Sequence, residues 1–392
     1  AVALAAPSTE TTPEVTKDFT VHEWGTFTSV FGSDGSILPG LEVEEERLPP
    51  FVYGLDALSG KMQLGLEGGP KNQPIFKGFL RQVKNVTVKM ETPVIYFYSE
   101  EEFDAEVKVG FEGGSLSQWY PGRSGGELTR PPITLDGKLP EVDFAKKHKG
   151  AIEWKVRVEK PSANSGFEVM KPGETANWLH PRAPKSNILK TPSGETESYL
   201  FYRGLGNFPQ PIDFQVIDNR LVMSPKKEIP FALVVESTGS NQGRILWKGK
   251  PSSKEQVSLK TRADDASYPS DAYESLHEAL VEAGLFEDEA AAMLRTWWHS
   301  YFGQPGLRVF WIVPRESTDE ILPLKMNPKP AHLERVLLGR SEILTPAFEE
   351  EIVSAFNGDP KKNLFQNHRY FKAYEARANQ IKPQRPQQQP TG

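Results

Sequence analysis

Alternation is clearest in "FDAEVKVGF". There Phe103, Ala105, Val107, Val109 and Phe111 share one face, and polar residues or glycine share the other. That is the period of a strand with one side buried. "AIEWKVRVEK" repeats it with Ile152, Trp154, Val156 and Val158. "PVIYFYS" and "PFALVVES" are apolar on both faces and read as central strands covered on both sides. Further strands are predicted at "VTVKM", "SYLFYR", "IDFQVI", "RILWKG" and "EQVSLKT". Loops rich in Gly and Pro separate them, notably "EGGSLSQWYPGRSGGELTRPP" and "NWLHPRAPKSN".

After about residue 262 the period changes. "SDAYESLHEALVEAG" predicts a helix with Asp271 as its cap, Glu274 three residues on and Gly284 as its stop. "EDEAAAMLRTWWHSYFG" predicts a second helix, acidic in its first turn, with Ala291, Leu294, Trp298 and Tyr301 at helical spacing. Two apolar strands follow, "LRVFWIVP" and "EILPLKM", then a short helix around Ala331–Leu338. "TPAFEEEIVSAFNG" carries Thr345 as a cap and Pro346 at the first helical position, and "KNLFQNHRYFKAYEARANQ" closes the ordered part as a helix. The whole predicts an α+β fold: an antiparallel β-rich, sandwich-like body with a C-terminal helical portion packed on it. Its expected organisation is a disordered N-terminus over 1–18, the β-rich body over 19–262, the helical portion over 263–380 and a disordered Pro/Gln-rich tail over 381–392.

"FTVHEWGTFTSV" poses the sharpest chemical question, because His22 and Glu23 stand side by side in a strand. Strand geometry sends them to opposite faces. Glu23 falls among Phe19, Val21 and Phe27, whereas His22 shares Trp24's side and is expected to face solvent. A carboxylate on an apolar face needs a partner, and Arg203 in "LFYRGLGNF" is a candidate for it.

Composition then narrows the classes. The 392 residues include 32 Gly and 33 Pro, which suits many short elements joined by turns. The formal charge of −6 lacks the basic excess that phosphate binding requires, so no nucleic-acid partner is expected. No apolar run reaches about 18 residues, so no membrane span is expected. Cysteine is absent, which removes disulfides, zinc-thiolate sites, iron–sulfur clusters and thiol nucleophiles. No glycine-rich phosphate motif follows a strand, and no dinucleotide, haem or iron–sulfur cofactor is expected. "ALAAP", leading into a Ser/Thr/Pro/Glu run, reads as the small-residue end of an export signal, so an extracytoplasmic location, periplasmic or secreted, is expected.

For catalysis, the candidates are the carboxylates Glu23 and Glu91, a type of pair that glycoside hydrolysis uses. "GRSGG" has the serine spacing of a nucleophile elbow but no strand before it or helix after it. For metal binding, "HEWGT" and "HEALV" both lack the second histidine of a zinc helix, which leaves His22, His180 and His299 as scattered donors. For binding, "SQWYPGR" brings Trp119, Tyr120 and Arg123 together, and "NWLHPR" brings Trp178, His180 and Arg182. Aromatic planes beside arginine can stack on sugar rings or grip a protein surface.

The stretches "VHEWGTFTSV", "METPVIYFYS", "LFYRGLGNF" and "GLRVFWIVPRESTDEILPL" resemble those of uncharacterised secreted bacterial proteins carrying a VHEWGTFTSV-like segment. The resemblance implies an exported bacterial protein and no activity. Two functional readings follow. One is an exported binding or structural protein that engages a glycan or protein partner through aromatic surface loops. The other is a secreted hydrolase acting on polysaccharide or ester, with a carboxylate pair or a scattered His/Glu metal site.

Overall fold

The computed structural model describes residues 16–43, 48–54, 83–128, 141–160, 176–260 and 262–381. Of the N-terminus expected to be disordered over 1–18, residues 16–18 open β1 and the rest lies outside the described residues; of the tail expected over 381–392, Ile381 ends α6 and the rest lies outside them. In chain order the first strands are β1 (Thr16–Phe31), β2 (Tyr53–Gly54), β3 (Val83–Lys84), β4 (Val88–Tyr98), β5 (Phe103–Glu112), β6 (Gly114–Tyr120), β7 (Val142–Asp143) and β8 (Lys149–Glu159). Next come β9 (Ile188–Lys190), β10 (Thr196–Glu197), β11 (Leu200–Gly206), β12 (Ile212–Ile217), β13 (Arg220–Pro225), β14 (Ala232–Gly239), β15 (Gln242–Gly249) and β16 (Glu255–Ser258). The last are β17 (Gly306–Ile312), β18 (Leu324–Asn327) and β19 (Lys329–Ile343). The helices are α1 (Ala176–Leu179), α2 (Ser270–Glu282), α3 (Glu287–Thr296), α4 (Arg315–Ile321), α5 (Pro346–Asn357) and α6 (Phe371–Ile381).

A nine-stranded sheet forms the spine, in the order β15-β14-β17-β19-β1-β4-β11-β6-β2. A five-stranded sheet, β10-β9-β8-β5-β18, and a three-stranded one, β12-β13-β16, pack on one of its faces. Their shared core joins Phe19, Val21 and Phe27 of β1 to Val107 and Val109 of β5 and Trp154 of β8. The other face is roofed by helices. Trp24, Val94, Phe201 and Leu338 on the sheet meet Leu276 and Leu280 of α2 and Met293 of α3. Lower on the same face, Val30 and Leu205 meet Ile352 of α5 and Tyr374 of α6. The fold is therefore α+β, a β-rich sandwich-like body carrying C-terminal helices.

Three elements depart from the expected pattern. Of "KNLFQNHRYFKAYEARANQ", expected as one helix, only the part from Phe371 is helical, as α6. The segment around Ala331–Leu338, expected as a short helix, is the middle of β19. From Arg335 onward its side chains are buried on both faces, so no alternation marks that part, and pairing overrides local propensity. That strand also runs parallel to β1 along its length, a parallel seam inside an otherwise antiparallel spine. "EILPLKM" divides into the end of α4 and the strand β18.

The helix ends follow local chemistry. Pro269 occupies the α2 cap position and Asp271 lies in the first turn. Gly284, at φ +114°, turns the chain out of α2, a conformation that suits glycine. Thr345 caps α5, its hydroxyl accepting from the Phe348 backbone N–H at 3.2 Å.

Candidate functional site

Both faces of β1 are covered, so both members of its His–Glu pair are buried. Glu23 is fully enclosed on the sandwich side. Its Oε2 accepts from Nε of Arg335 at 2.5 Å, and its Oε1 accepts from the Tyr202 hydroxyl. Arg335 reaches on to Asp319 at 2.7 Å. Burial opposes the charge on Arg335, but Glu23 and Asp319 more than offset it and hold its pKa above the ordinary value. Burial, then Glu23, pushes the Tyr202 phenol well up. Glu23 is thus the keystone of a buried ion pair, and its partner comes from β19, whereas Arg203 lies on the opposite face.

Glu91 lies on the helical side, opposite Thr26 in the β1–β4 register, with Lys89 at 3.3 Å and Arg203 at 3.7 Å. Glu23 and Glu91 therefore sit on opposite faces of one sheet. The expected carboxylate pair cannot act across a common cleft, because the sheet itself separates the two groups.

Around Glu91 lies a buried polar floor under the helices. The Tyr301 hydroxyl bonds Thr26 at 2.5 Å, and Arg340 donates to the Tyr370 hydroxyl at 2.8 Å and to Ser300. Glu342 accepts from Nε of Arg308 at 2.6 Å and from Arg369 at 3.0 Å. Burial works against its charge, yet Arg308, Arg369 and Arg340 hold its carboxyl below the usual range. A π-helical turn, His299–Gly303, carries Ser300 and Tyr301 into this floor.

His22 is not solvent-facing as expected. It is 3% exposed, because α3 and the turn before it close over that face of β1. Its Nδ1 lies 2.7 Å from Oε2 of Glu289, whose Oε1 accepts from the Tyr98 hydroxyl at 2.7 Å. The backbone N–H of Phe286 also donates to Oε2, at 2.8 Å. The three metal candidates do not converge. His22 is held by Glu289, His299 meets Gln304, and His180 lies half-buried near Arg295. Among the described residues no group of three or more His, Cys, Asp or Glu is placed to hold a metal.

The aromatic candidates do gather at one corner of the spine, though not as exposed loops. Trp119 and Tyr120 end β6 and point to opposite faces. Trp119 is buried on the sandwich side, stacked on Tyr53 at 6.2 Å, with the Arg123 guanidinium 5.4 Å from its ring. Tyr120 turns to the helical side, 4.7 Å from Phe51 and 6.1 Å from Trp178. Trp178 is also buried and packs on Phe201 and Tyr199. Large apolar rings beside a sheet edge gain more by covering it than by facing water, which is why both tryptophans are walls rather than exposed anchors.

Carboxylates fix this corner. Glu197 accepts from Nε and Nη2 of Arg182, at 3.0 and 2.7 Å, and from the Trp178 indole at 3.3 Å. Glu195 takes the Tyr53 hydroxyl and the Gly122 backbone N–H, both at 2.8 Å. His180 stands beside Arg182 in a short 3-10 turn, and burial, then Arg295, lowers its pKa. Phe51, Tyr53, Glu195 and Glu197 belong to this corner without standing out in the sequence. The "FVYG" aromatic pair was the available signal, while the glutamates resembled ordinary loop acids.

No family model matches the chain, and no curated protein matches it. Among solved structures it is similar to the Fcho1 mu homology domain of Danio rerio, described with a bound Eps15 peptide. That match has a TM-score of 0.26 and 8% identity, covering 83% of this chain and 97% of that chain.

Proposed function

We propose that this is an exported binding protein that holds a glycan at the corner formed by β2, the end of β6 and the α1 turn. One observation carries the reading: at this sheet edge partly exposed Phe51 and Tyr120 meet over buried Trp178 on the helical side, while partly exposed Tyr53 stacks on buried Trp119 on the sandwich side. Aromatic planes suit the apolar faces of sugar rings, and nearby Glu195 and Arg123 offer an acceptor and donors of the kind hydroxyls need. Ring positions fixed in advance limit the ordering cost of binding. Export is part of the same proposal, in keeping with the cysteine-free composition.

The test is retention of the protein on a panel of immobilised polysaccharides, comparing wild type with Phe51→Ala and Tyr120→Ala. Retention on at least one polysaccharide, lost in both variants while near-ultraviolet circular dichroism stays unchanged, supports the reading. Equal retention of wild type and both variants on every polysaccharide ends it.

A further inference from the structure

β2 ends the nine-stranded spine on one side, and at two residues it offers little to pair with. β15 ends it on the other side and runs for eight residues. A strand of that length at the end of a sheet presents a row of N–H and C=O groups to any further strand. Its middle, Ile245, Leu246 and Trp247, is apolar, suited to strand pairing and only partly buried.

The row is covered by the segment that follows. Asp265 Oδ2 accepts the Ile245 N–H at 2.9 Å, and Nη2 of Arg262 donates to the Ile245 carbonyl at 2.6 Å. Two residues earlier, the Gly243 carbonyl accepts from the Asp265 backbone N–H at 2.8 Å. Gly243 and Ile245 lie opposite Ser237 and Val235 of β14, and these groups point away from β14, to where a further strand would lie. Arg262 also pairs with Asp265, which ties the two side chains into one clasp. Behind it, Arg244 donates to the Arg262 carbonyl at 2.7 Å and to Asp264 at 3.1 Å. The Thr238 hydroxyl donates to the other oxygen of Asp264 at 2.8 Å. Burial opposes the charge on Asp265, but Arg262, the Ile245 N–H and Arg244 outweigh it and hold its pKa below the ordinary value. Residues 262–264 are themselves exposed and add nothing to the core, so the contact serves the edge.

We propose that residues 262–265 are an edge guard: they occupy the open side of β15 and keep the spine from adding β15 of a second copy of this chain. Two copies of one strand meet antiparallel about a two-fold axis, so this edge is complementary to itself once the clasp opens. The device is separate from the aromatic corner and does not depend on the glycan reading.

The experiment measures the mass of full-length protein by light scattering after size exclusion, over a concentration series. Arg262→Ala with Asp265→Ala is expected to move the mass from the wild-type value towards twice that value as concentration rises. At low concentration the Ile245 amide of this variant is expected to exchange hydrogen about tenfold faster than in wild type, and to slow again as the protein is concentrated. Adding Ile245→Pro removes the outward N–H without touching the ladder to β14, and is expected to return the mass to the wild-type value. Asp265→Asn keeps the side chain's size and loses its charge, and it gives the same comparison if the double variant fails to fold. The proposal is overturned by a variant whose mass matches wild type at every concentration, or by association that survives Ile245→Pro. An Ile245 amide that exchanges equally fast at low and high concentration overturns it as well.

Discussion

Glu23 and Arg335 bond across the parallel seam of β1 and β19, joining residues 312 positions apart through a 2.5 Å contact with almost no solvent access. Removing one partner of such a pair strands a buried charge. Glu23→Ala is expected to lower unfolding stability by about 3–5 kcal/mol, read from urea denaturation. The double variant Glu23→Leu with Arg335→Met is expected to recover most of that loss, because a buried pair is often no better than a well-packed apolar replacement. A double variant no more stable than Glu23→Ala would show that the pair fixes the seam itself.

Glu342 gives the protein an acid-sensitive core. Its folded pKa lies below the ordinary 4.5, so its stabilising contribution is complete above that value and is lost as pH falls through the lower folded one. Unfolding stability should therefore drop on acidification below pH 4.5. Glu342→Gln should flatten that part of the profile while costing stability at neutral pH. Urea midpoints measured across the acid range check both.

Gly339 marks a point of close approach. A Cβ there would stand 2.0 Å from the Trp311 ring, and an indole has no easy way to yield. Gly339→Ala is expected to destabilise by about 1–3 kcal/mol, and Trp311→Phe in the same chain to relieve part of it. Thermal denaturation of the single and double variants decides.

His180 should titrate below 6.5, chiefly through burial and secondarily through Arg295. Arg295→Gln is expected to raise its midpoint without restoring the free value, because the larger cause remains. Histidine NMR across pH 5–8 measures the shift directly.

Much of this architecture is legible in the sequence wherever one face of a strand stays wet. β5 and β8 alternate so cleanly that their inner residues can be named in advance, and Thr345–Pro346 announces the start of α5. The opposite orientation of His22 and Glu23 is also legible, since it needs only the pleat. What the helices do to the far side of β1 is not, because nothing near residue 22 records that α3 will cover it. β19 is missed for a related reason: from Arg335 onward two-sided burial erases its alternation. The same gap hides the partner of Glu23, as a parallel seam between distant segments leaves no local mark. Glu289 looks like an ordinary first-turn acid, and only the fold brings it to His22.

The parallel seam also sets a timetable. β1 takes as its neighbour a strand some 312 residues further along the chain, so during synthesis β1 stays without that neighbour while those residues emerge. At roughly 5–20 residues per second that interval is about 15–60 s. For that time the middle of the spine is an unpaired edge, and a chain cut short before β19 has no other copy of that strand to close it.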